Sequence, residues 1–108
     1  MSMLPQAKLE ALLTRHKSME TELAQQLPPE TFVKLSREFS ELDPVVSRIK
    51  EYRSVENELA DLDALIDDAS TDAAMRDMAA LEKPALETKR GELELEIRKA
   101  LIPKDAMD

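Results

Sequence analysis

A chain of 108 residues with 35% charged side chains, 3% aromatics, one glycine and no cysteine has room for one thin hydrophobic core. It excludes a disulfide scaffold, a thiolate metal site and a glycine-rich phosphate loop. Its 23 acidic residues against 15 basic ones give a net charge of −8, so most of the surface repels a phosphate backbone and strong intrinsic nucleic-acid binding is not expected. No apolar run of about 18 residues occurs and no basic region precedes an apolar one, so neither a membrane span nor a secretory signal is expected, and the expected address is cytoplasmic.

The first helix is predicted from about Pro5 to Gln26. Pro5 suits a first-turn position, where its missing donor would be unpaired anyway. Leu9, Leu12, Leu13, Met19, Leu23 and Leu27 return to one face. His16, the single histidine, lies between Leu13 and Met19 and is expected at the edge of that stripe, with a partner contact as the alternative. No second histidine, cysteine or serine–base arrangement gives it a catalytic role. Pro28-Pro29 then ends the helix, and Glu30 places favourable charge in the first turn of the next.

The second helix begins near Pro29 and carries the stripe Phe32, Leu35, Phe39, Leu42, Val46, Ile49, Tyr52 or Val55, Leu59, Leu62 and Ile66. Two readings compete at Pro44. In one, Asp43 caps a new helix with Pro44 at its first position; in the other, a single long helix is kinked where Pro44 leaves the Ser40 carbonyl unpaired. The stripe keeps its phase, which favours the long kinked helix.

Asp67-Asp68-Ala69-Ser70-Thr71-Asp72 forms the second turn, with Ser70, Thr71 or Asp72 as the cap. A third helix follows from about Ala73 to Leu101, with Met75, Met78, Leu81, Leu86, Leu93, Ile97 and Leu101 as its expected core stripe. An exposed soft binding patch at Met75 and Met78 is the alternative. Pro84 is expected to kink or split this helix, and Gly91 to weaken it by roughly 1 kcal/mol relative to alanine. The proline of Leu101-Ile102-Pro103 closes it.

These elements predict an all-α fold: an elongated antiparallel three-helix hairpin with coiled-coil character, its second helix longest and kinked at Pro44. Residues 1–102 form the helical domain, and residues 103–108 an exit linker toward downstream domains, as in one module of a longer protein. Asp61, Asp63, Asp67, Asp68 and Asp72 lack the glycine-centred loop of a calcium site and any imidazole, so they are expected to be a solvated acidic helix end. Phe32, Phe39 and Tyr52 fall on or near the core stripe rather than on a basic stacking platform. Lys34, Arg37, Arg48, Lys50 and Arg53 could touch RNA if another domain did the anchoring. No catalytic, cofactor-binding or metal-ligating residue is assigned, no cofactor is called for, and the segment is expected not to be an enzyme.

Ser36-Arg37-Glu38-Phe39-Ser40-Glu41-Leu42, then Met75-Arg76-Asp77-Met78-Ala79, then Leu101-Ile102-Pro103-Lys104-Asp105 occur in an order and spacing that resembles the helical N-terminal domain of bacterial class I peptide chain release factors. Ala7-Lys8-Leu9-Glu10 and the Asp43-Pro44 region fit as well, so the resemblance covers essentially the whole chain. The short N-terminus and the exit look more like release factor 1 than release factor 2. The chain departs from the family where Asp72-Ala73-Ala74 stands in place of a usual Asp-Pro-Glu, at Pro84, and at Ala106-Met107.

The resemblance implies an accessory domain of a translation termination factor that reads UAA and UAG stop codons on the ribosome and promotes peptidyl-tRNA hydrolysis. In that family a Pro-x-Thr tripeptide of a later domain reads the codon and a Gly-Gly-Gln loop does the chemistry; this sequence has no Gly-Gly-Gln, and the codon-reading region is expected to lie outside this segment. The implied partner is the ribosome, near the stalk base of the large subunit, reached through the full-length factor. A weak homodimer of the isolated segment is compatible with either reading, since an excised arm exposes apolar surface. The alternative is a free-standing helical interaction or scaffold protein.

Overall fold

A computed structural model describes residues 4–103. Among them are three α-helices and no strand: α1 (Gln6–Leu23), α2 (Pro29–Asp67) and α3 (Ala73–Ala100). The expected exit linker is described only at Pro103; Lys104 to Asp108 lie outside the described residues.

Two compact units divide the chain, Met1–Ile49 and Lys50–Asp108, and α2 runs through both. In the first unit α1 starts behind Pro5, whose extended backbone holds the N-cap position. The Pro5 carbonyl accepts from the amides of Lys8 and Leu9 at 3.0 and 3.1 Å. α1 ends earlier than the stripe suggests, at Leu23. The amides of Ala24 and Gln25 bond three residues back, to Thr21 and Glu22, and this tightened turn feeds into the prolines that cannot continue a helix. Leu4, Leu9, Met19, Leu35, Val46 and Ile49 are buried, while Leu12, Leu13, Leu23 and Leu27 are only partly so.

Helix α2 is continuous for 39 residues with Pro44 inside it, which removes the reading of two separate helices. Pro44 and Ser40 are both exposed, so the carbonyl that Pro44 leaves without a donor lies on the solvent side, where its loss is cheapest. Pro84 and Ala80 repeat the arrangement in α3, and Pro84 does not split that helix.

In the second unit α2 buries Tyr52, Val55, Leu59 and Leu62, and α3 buries Ala79, Leu93 and Ile97. Here the expected stripe of α3 requires correction. Met75, Met78 and Leu81 are exposed at 50%, 60% and 80%. The inward line is instead Arg76, Ala79, Lys83, Leu86, Arg90, Leu93 and Ile97, buried or partly buried at alternating steps of three and four. Leu86, Leu93 and Ile97 set that phase. Traced toward the N-terminus by the same steps, it reaches Lys83, Ala79 and Arg76, and leaves Met78 and Leu81 outside the arc of about 100° that a helix buries. Three cations occupy the seam because their long stems cover apolar surface while the charged heads reach its edge.

Candidate interaction surfaces

In the first unit the polar anchor is His16, buried to 7% exposure rather than standing at the stripe's edge. Its Nε2 lies 2.7 Å from Asp43 Oδ1. Its ring stacks on Phe39 with centroids 4.6 Å apart and planes 24° from parallel. A histidine flanked by an aromatic face and a carboxylate buries its apolar body and keeps a partner for one polar atom, the condition for placing such a group inside. Arg15 Nη2 donates to Glu38 Oε2 at 2.8 Å. Both pairs join α1 to α2, 27 and 23 residues apart in sequence.

At the start of α2, Pro29, Glu30, Val33, Lys34 and Arg37 line an open groove of about 370 Å³. Phe32 and Val33 are exposed at 48% and 57%, so Phe32 lies outside the core stripe assigned to it. Pro29 initiates the helix and Pro28 supplies the carbonyl that accepts from the Phe32 amide at 2.9 Å. This turn therefore leads with apolar side chains, followed at once by two cations. Of the five basic positions singled out in the sequence, only Lys34 and Arg37 share this groove. Arg48 Nη1 turns back to its own helix, donating to the Pro44 carbonyl at 3.1 Å, and Lys50 and Arg53 fall in the second unit.

In the second unit a self-braced turn joins α2 to α3. Asp68 Oδ1 accepts from the Ser70 amide at 2.9 Å and the Ser70 hydroxyl at 2.8 Å. Those two bonds, backbone first, with Arg76 adding attraction, hold the Asp68 carboxyl below its ordinary pKa. Arg76 Nη2 reaches the carbonyls of Asp68 at 3.0 Å and Thr71 at 3.3 Å, while its Nε is buried without a partner. Asp72 holds the N-cap position of α3 but its side chain makes no capping bond; Asp68 organises the turn instead. Lys83 Nζ pairs with Asp63 Oδ1 at 2.7 Å, which raises the Lys83 pKa above its ordinary value through the hydrogen bond and then the charge of Asp63. The acidic cluster is thus divided between turn bracing and pairing. Among the described residues no group of three or more histidine, aspartate or glutamate side chains comes together as a metal cage.

Helix α3 carries the other exposed apolar surface. Met75, Met78 and Leu81 are solvent-facing, and Leu95 on the same helix is 50% exposed. Nothing in hydrophobicity distinguished these residues from the seam. The signal that could have done so is the seven-residue recurrence of Ala79, Leu86 and Leu93.

Three helices without strands, with exposed apolar strips on their flanks, define an all-helical module among the described residues, none of whose helices is long and apolar enough to cross a membrane. Residues 8–108 match the family model of the PCRF domain, and the chain belongs to that family, a domain of peptide chain release factors with a role in translation termination. The hydrolytic activity of such factors belongs to their other domains. No solved structure matches the chain.

Proposed function

We propose that this domain is the accessory N-terminal arm of a release factor of the type that reads UAA and UAG, and that it works in the cytoplasm by docking its factor near the stalk base of the large ribosomal subunit. The observation that carries the reading is the family match across residues 8–108 of an all-helical chain. The Ser36–Leu42 and Met75–Ala79 segments resemble class I release factors, and the Leu101-Ile102-Pro103 exit looks more like release factor 1 than release factor 2. On this reading the arm contributes binding and orientation, and the codon reading and ester hydrolysis happen elsewhere in the factor. Binding energy gained at a remote surface lowers the concentration at which the factor works without entering the chemical step, provided it is the same in the ground and transition states.

The domain's basic groove suits a supporting contact rather than the primary grip on RNA, since Lys34 and Arg37 act within a chain of net charge −8. The test is a stop-codon panel. The factor that carries this domain should release peptide from ribosomes paused at UAA and UAG and leave those at UGA largely intact; release at UGA and UAA without UAG would overturn the assignment.

A further inference from the structure

Helix α3 has two faces with different register and different charge. Its inward line consumes the cations of this region: Arg76 binds the turn carbonyls and Lys83 binds Asp63. Between Asp72 and Thr88 the exposed charged residues are Asp72, Asp77, Glu82 and Glu87, all of them carboxylates. The outer face is left with an apolar strip in an acidic field. Met75, Met78 and Leu81 expose 50%, 60% and 80% of their surface, together on the order of a few hundred Å², the size of the largest apolar patch of a typical single chain, which is often functional.

The register of that strip specifies the shape of what covers it. Met78, Leu81 and Ala85 follow steps of three and four, and Leu95, 50% exposed, stands two seven-residue repeats beyond Leu81. This 3.5-residue period is the one on which a second helix packs side by side. Methionines at the broad end let one surface adapt to the side chains of its partner. The acidic surroundings specify its charge.

A second copy of the chain does not meet the requirement. It would bring the same carboxylates against these, a like-charge juxtaposition that opposes association. Nucleic acid is repelled by the same field.

We infer that the Met75–Met78–Leu81 face of α3 is a docking site for a basic amphipathic helix of a protein partner, whose apolar stripe lies on this strip and whose lysines or arginines face the rim carboxylates. The site is separate from the groove at Pro29–Arg37 and does not depend on which stop codons the factor reads.

The test titrates the domain with a leucine–lysine peptide of about five turns patterned as an amphipathic helix. A control peptide of identical composition has its leucines spread around the helix. Binding is read by amide chemical shifts and calorimetry. The patterned peptide should bind at least about tenfold more tightly than the control, with shifts centred on 74–85. The double substitution Met78→Gln and Leu81→Gln should weaken it by a similar factor, with helicity by circular dichroism unchanged. Equal binding of the two peptides, indifference to the double substitution, or shifts confined to other faces would each overturn the proposal. So would self-association abolished by the double substitution, or capture of an RNA oligonucleotide sensitive to it.

Discussion

The two units of this domain carry their polar groups in opposite ways. Met1–Ile49 holds six basic and seven acidic residues, net −1, whereas Lys50–Asp108 holds nine and 16, net −7. The first unit ties its helices with paired polar side chains, His16 to Asp43 beside Phe39 and Arg15 to Glu38, and leaves Lys34 and Arg37 at an open groove. The second draws Arg76, Lys83 and Arg90 into or alongside its seam and leaves most of its described carboxylates exposed. The difference shows how one helical chain can present surfaces of unlike chemistry: the seam that takes in cations makes the opposite face acidic.

The contrast between the faces of α3 is broken most forcefully at Ile97, which is fully buried. Ile97→Ala should cost about 2–5 kcal/mol in urea unfolding through lost burial and the cavity left behind. Leu81→Ala, at 80% exposure, should stay within about 0.5 kcal/mol of the parent. Comparable losses at the two positions would mean that the seam has the wrong phase.

The polar anchor of the first unit comes next. Asp43→Ala strands the buried His16 nitrogen, at a cost of about 1–3 kcal/mol. The same equilibrium measurement on Arg15→Ala, which breaks an exposed pair with side chains 53% and 43% exposed, should register no more than about 1 kcal/mol.

In the second unit, Arg76→Ala frees the carbonyls of Asp68 and Thr71. Hydrogen exchange of the turn amides 68–72 should accelerate selectively, with a stability loss near 1 kcal/mol. Exchange that rises uniformly along α3 would show that Arg76 supports the whole helix rather than the turn.

A gain is expected at Gly91, where an added Cβ meets nothing within 4 Å. Gly91→Ala should stabilise the domain by about 0.5–1 kcal/mol through helix propensity and a less flexible unfolded chain.

The smallest effects are in pH. The Lys83 pKa is raised by Asp63, so the pair's contribution is complete below the ordinary lysine pKa and fades as pH rises through the raised value. The Asp68 pKa is lowered by its bonds to Ser70, so its contribution is present above the ordinary aspartate pKa and fades as pH falls through the depressed one. Lys83→Met should remove part of the alkaline slope in thermal melts; an unchanged slope would contradict the pairing.

Much of the fold was legible because proline and aliphatic spacing act locally. Pro28-Pro29 and the 67–72 turn separate the three helices, and the unbroken phase from Leu35 to Ile66 signalled that α2 would cross Pro44. The length of the second helix followed from that phase alone. What stayed hidden depended on contacts distant in sequence. His16 looked like a boundary residue until Asp43, 27 residues away, supplied its partner. Met75, Met78 and Leu81 looked like core because hydrophobicity ranks a methionine above an arginine, yet a seam can take the stem of Arg76 or Lys83 and leave a leucine outside. The groove at Pro29–Arg37 was legible only as basic positions, since the exposure of Phe32 and Val33 depends on the packed arrangement of the first unit.

The most direct measurement for this domain as a docking arm is single-turnover peptide release at a UAA codon against factor concentration, for the intact factor and for one lacking residues 1–102. The half-saturating concentration should rise while the plateau rate stays within about twofold, as for a loss of uniform binding. A plateau that falls steeply at unchanged half-saturation would place this domain in the chemical step and contradict its role as an accessory arm.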